Sequence, residues 1–111
     1  MHEMTKKTAI PMEVKLKVWE RDGGCCIICG SPNASPNAHF IRRSQCGEGV
    51  EKNIVTLCNN CHRKFDESGE REAYGKVIME YLKSKYPDWK KEDVVYDKWG
   101  WTNEAKGQAE T

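Results

Sequence analysis

Apolar residues fall in short clusters along this chain, separated by long polar stretches. Val14, Leu16, Val18 and Trp19 lie between Pro11 and the pair Gly23-Gly24. Proline suits the first turn of a helix and glycine its end, so residues 11–22 are predicted helical. The alternation of Val14, Leu16 and Val18 also fits a strand. Residues 38–41 and 53–57 are short strand candidates flanking a polar loop, 42–52. Residues 58–67 read as a turn running into a short helix. Over 70–86, Ala73, Tyr74, Val77, Ile78, Tyr81 and Leu82 repeat with helical spacing, and Pro87 stops the run. The Trp-rich stretch 88–101 has no assignable period. Residues 1–9 are expected to be a flexible N-terminus and 102–111 a disordered tail.

Composition narrows the picture. Of 111 residues, 38% are apolar and 32% charged, and only Leu16, Leu57 and Leu82 supply leucine. So small and polar a chain builds a limited core and calls for a staple. No apolar run is long enough for a membrane span, and no apolar stretch follows the first residues as in a secretory signal, so a cytoplasmic protein is expected. The net charge of +1 excludes a bulk electrostatic coat on nucleic acid; any contact with DNA must be local.

The staple is visible among the six cysteines. Cys26-x-x-Cys29 and Cys58-x-x-Cys61 are two CxxC pairs separated by 28 residues. Each places two thiolates on one tight turn, and two such turns make the tetrahedral sulfur set of a structural zinc site. Cys25 is a possible substitute for Cys26, though the spacing to Cys29 favours Cys26. A zinc ribbon spaces its pairs by about 15–20 residues. The longer gap here holds a strand, a loop and a strand, so the zinc would pin the two ends of a hairpin.

Two histidines lie on that hairpin and the helix after it. His39 is on the first predicted strand, where a group titrating near neutrality could accept a proton from water, or could simply be half-buried. His62 directly follows Cys61 and is spare once four thiolates hold zinc. Asp66 shares a helix face with His62, either as a second ligand for a divalent ion or as a group orienting the ring. Arg42 and Arg43 follow His39, and Arg63 and Lys64 follow His62; together they are candidate phosphate contacts.

In the order of these residues, 18–66 resemble HNH endonucleases of the ββα-metal type, most closely the small members of phages and prophages. The resemblance rests on WERDGGCCIICG at 19–30, AHFIRRSQCG at 38–47 and NIVTLCNNCH at 53–62. It implies a small α+β fold, a ββα hairpin-plus-helix over about 36–67 stapled by a four-cysteine zinc site and flanked by helices, within one domain spanning 10–101. It also implies hydrolysis of DNA phosphodiesters to 5′-phosphate and 3′-hydroxyl ends, by nicking or cutting. His39 falls where the general base sits, Asn53 where a side chain braces the loop, and His62 where one catalytic Mg2+, Mn2+ or Ni2+ is bound. Many members carry a ligand Asp or His just before the base histidine; here that residue is Ala38. The rival reading is therefore a catalytically lost, zinc-held DNA-binding or protein-docking module. Partners implied are DNA and a phage terminase or another DNA-processing subunit, with the chain a monomer or a dimer. Cys46 departs from a Gly-Gly pair that is common at its position.

Overall fold

A computed structural model of the chain describes residues 8–67 and 69–95. The first helix, α1, runs Met12–Arg21. Pro11 precedes it in an extended conformation, and its carbonyl accepts the N–H groups of Val14 and Lys15 at 3.0 and 3.1 Å. The helix ends where Gly23 and Gly24 both take φ near +69°, a region open to glycine without penalty. The helical reading of the Val14–Val18 alternation thus holds, because only Val18 is buried and Leu16 points outward.

Strands β1, Ala34–His39, and β2, Ile54–Cys58, form an antiparallel hairpin. The register pairs Ala34 with Cys58, Ser35 with Leu57, Ala38 with Val55 and His39 with Ile54. Between Ser35 and Ala38, β1 carries one residue more than β2, a bulge at Pro36-Asn37. Proline lacks the N–H a regular ladder needs, and a bulge accommodates that lack while bending the strand. The bulge also hides the strand from a pattern search. Strand β1 starts at Ala34 and ends at His39, not at 38–41 as predicted, and the ββα unit begins two residues before 36. Strand β2 is buried at every position.

Helix α2, Asn59–Glu67, follows β2 without a break and buries Cys61 and Phe65. Helix α3, Arg71–Lys85, crosses behind it, burying Ile78 and Leu82. The packed face of α3 is rotated from the predicted one: Ala73 and Val77 face solvent, while Tyr74 and Tyr81 are half-buried. Beyond Pro87, Trp89 is buried and Lys91–Val94 form a 3-10 turn. Trp99, Trp101 and the predicted tail lie outside the described residues, as does most of 1–9. No helix among the described residues is long and apolar enough to cross a membrane.

The core joins both strands to α2 and α3. Phe40 stacks near-parallel on Phe65 at 6.5 Å and meets Trp89 edge-on at 5.5 Å. A second, polar knot ties α1 to β2 and α3. Arg21 pairs with the fully buried carboxylate of Asp22 at 2.7 Å. Asp22 also accepts from the Tyr81 hydroxyl at 2.5 Å and from the Thr56 N–H at 2.8 Å. Arg21 in turn donates to the carbonyls of Glu51 and Ile54, each at 2.7 Å. A buried charge is tolerated only when its partners are this complete.

Candidate active site

The cysteine end of the hairpin comes first in the chain. The Sγ atoms of Cys26, Cys29, Cys58 and Cys61 all lie within 4.8 Å of one another. Four sulfurs about 2.3 Å from a tetrahedral zinc are about 3.8 Å apart, so the set fits a structural metal such as zinc. Cys25 stands outside the cluster. The Cys61 N–H points at the Cys58 sulfur from 3.4 Å. Burial opposes a thiolate at Cys26, but backbone N–H groups of Cys29, Cys58 and Ile28 bring its pKa down to about 7. Burial and the three neighbouring thiols push Cys61 up. Without a cation the cluster therefore resists carrying several negative charges, and a dication relieves that resistance.

At the other end, His39 leaves β1 half-buried beside an open cleft of about 520 Å3. His39, Arg42, Arg43, His62 and Asp66 all line this cleft. His39 Nε2 lies 2.8 Å from the backbone carbonyl of Thr8. A carbonyl only accepts, so in the neutral ring Nε2 carries the hydrogen and Nδ1 keeps its lone pair. Burial is the main cause that lowers the His39 pKa, and Arg43 adds to it, so the ring is held neutral below its ordinary range.

Asn53 is fully buried behind the loop that follows His39. Its Oδ1 accepts the Ile41 N–H at 2.8 Å, and its Nδ2 donates to the carbonyls of Ile41 and Glu48 at 3.2 and 2.8 Å. One amide side chain thereby ties both ends of the loop. The loop is also tight at Gly47, where a Cβ would lie 1.8 Å from the Ile41 carbonyl oxygen. Cys46 beside it holds φ at +63°, the left-handed region that explains why glycine is at home there.

His62 and Asp66 sit one turn apart on α2, with Nε2 2.9 Å from Oδ2. Two adjacent ligands of an octahedral ion, each about 2.1 Å from it, are about 3 Å apart, so this nitrogen–oxygen pair fits a divalent ion as well as it fits direct pairing. Arg71 reaches the other carboxylate oxygen at 3.4 Å, donates to the Phe40 carbonyl at 3.0 Å and lies 4.1 Å over the Phe65 ring. Ala38 is fully buried, and its methyl group offers no ligand.

The predicted phosphate contacts divide. Arg42 donates to the Asp66 carbonyl at 2.9 Å and Arg43 to the Thr8 hydroxyl at 3.2 Å, both at the cleft. Arg63 lies 3.9 Å from Glu67 on α2, over a second, more open cavity that His62 and Asp66 also line, and it does not line the His39 cleft. Lys64 lines neither cavity. Sequence reasoning missed Thr8, Lys15 and Arg71. Thr8 acts on His39 through its backbone carbonyl, which no residue type announces. Arg71 stood in the predicted helix as one exposed cation among many.

Residues 26–66 match the family model described as HNH endonuclease. No curated protein matches the chain. The matched segment takes in both CxxC pairs, His39, Asn53, His62 and Asp66, and leaves out α1, α3 and Thr8.

Proposed function

From the HNH endonuclease segment at 26–66, whose family supports a nuclease-type function, we propose that this protein is a metal-dependent endonuclease that hydrolyses DNA phosphodiesters. The observation that carries the proposal is the meeting of His39, His62 and Asp66 at one cleft, with a four-cysteine cluster at the opposite end of the same hairpin. In this reading His39 takes a proton from water at Nδ1, the nitrogen left free by the Thr8 carbonyl. Asn53 keeps the loop closed and so holds His39 in place. His62 and Asp66 bind one divalent ion, Mg2+, Mn2+ or Ni2+, and Arg71 steadies the Asp66 carboxylate. That ion, when bound, neutralises charge on the phosphate and on the departing 3′ oxygen. Arg42 and Arg43 face the strand.

With Ala38 buried and two protein ligands at hand among the described residues, the ion is bound weakly and fully only with DNA present. The same observation favours the second reading, a zinc-held module that binds DNA or a DNA-processing subunit without cutting it. Incubation of supercoiled plasmid with the full chain and each of Mg2+, Mn2+, Ni2+ and Ca2+ separates the two. The nuclease gives nicked circles that ligase reseals, as 5′-phosphate and 3′-hydroxyl ends require. Plasmid left intact under every ion, at protein concentrations that bind it, favours the module.

A further inference from the structure

One cation at the cleft comes from outside the matched segment. Lys15 lies on α1 three residues before the buried Val18, so it is on the side of the helix that faces the hairpin. It is half-buried and lines the same cleft as His39, of which Ala9 and Ile10 form an apolar part of the wall. A lysine can lay its methylene stem on such a wall and keep its ammonium in the cleft. The other two cations there are engaged: Arg42 with the Asp66 carbonyl, Arg43 with the Thr8 hydroxyl. Lys15 makes no side-chain hydrogen bond or ion pair among the described residues. Three cations and one carboxylate line the cleft, so its field favours an anion; Arg42 and Arg43 each spend one donor within the protein and Lys15 spends none.

We infer that Lys15 binds a backbone phosphate of the DNA strand next to the scissile one, which makes α1 the second wall of the substrate cleft. The inference rests on the DNA reading above and adds a contact that the 26–66 segment does not contain. A lysine is a point charge toward phosphate, so it would position the strand with no preference for sequence.

The test is binding of a fluorescent 20-base-pair duplex, followed by anisotropy from 0.05 to 0.3 M salt. All proteins carry His39→Ala so that the duplex survives. Neutralising one phosphate contact changes the slope of log K against log salt by about 0.9, or about fivefold in affinity at 0.15 M salt. Lys15→Ala is expected to show both changes, and Lys15→Arg neither. Lys17→Ala removes the same charge from an exposed position of α1 and is expected to do much less. If Lys15→Ala behaves like Lys17→Ala while the parent binds normally, this inference falls and the DNA reading stands. If the parent shows no salt-sensitive binding, both fall.

Discussion

At one end of the β1–β2 hairpin, four sulfur atoms crowd within 4.8 Å, and three of the four cysteines are buried. At the other end, His39, His62 and Asp66 border an open cleft, each partly exposed. Helix α2 contributes to both sets, since Cys61 and His62 are neighbours in sequence; the turn before β1 adds Cys26 and Cys29 and the end of β2 adds Cys58 to the first, and the end of β1 adds His39 to the second. The first set has no open position and suits a metal that holds structure. The second has few ligands and room for water and phosphate, which suits an ion that does chemistry. In the proposed reading, adjacent residues on one helix take opposite tasks because one faces the core and the other the cleft.

The sharpest way to break this contrast is to attack the closed end. Cys61→Ser, or a strong chelator, is expected to abolish cooperative thermal unfolding, because structural zinc contributes about 10–16 kcal/mol to small domains of this kind. Circular dichroism and bound-zinc measurement check it; a chelated protein that still melts cooperatively would show that the cluster is not the staple. Attack on the open end should spare the fold. Asp66→Ala is expected to lower nicking about 10–100-fold, with recovery in excess metal and an unchanged melting temperature. Loss without recovery would remove Asp66 from the ligand set.

The polar knot at Arg21-Asp22 offers a control between the two ends. Asp22→Ala strands a largely buried guanidinium and is expected to cost about 3–5 kcal/mol in denaturant unfolding, with zinc still bound. A loss near zero would mean that the knot contributes little to the scaffold.

The pH dependence sharpens the open end further. His39 is depressed below 6.5 mainly by burial, so the acid limb of the nicking rate is expected below 6.5. The sign is the same for stability: the unfolded chain takes up this proton more readily, so the stabilisation is present above 6.5 and lost as pH falls through the lower folded value. An acid limb above 6.5 would assign it to another group. The smallest effect belongs to Cys46→Gly, which relieves a left-handed φ and is expected to add about 0.5–1 kcal/mol of stability, by denaturant titration.

Much of this was legible in the sequence because it lies in residue identity and spacing. The two CxxC pairs name their own cluster, and α1, α2 and α3 follow from Pro11, Cys58-x-x-Cys61 and the 70–86 periodicity. What the sequence hid was set by tertiary contact. Strand β1 escaped at its start because Pro36 and Asn37 form a bulge, which breaks the alternation that marks a strand. Ala73 and Val77 were expected to be packed, but α3 turns Tyr74, Ile78 and Leu82 to the core. The cleft's N-terminal wall was invisible for a different reason: Thr8 contributes a carbonyl, and Lys15 resembles every other lysine until α1 is folded against the hairpin.

The division of tasks is tested most directly by His39→Ala, assayed at once for plasmid nicking, zinc content and melting temperature. General-base loss predicts a fall in nicking of about 10²–10⁴-fold, with the full complement of zinc and an unchanged melt. Nicking at the wild-type rate, or a fall matched by loss of zinc and of folding, would contradict the account.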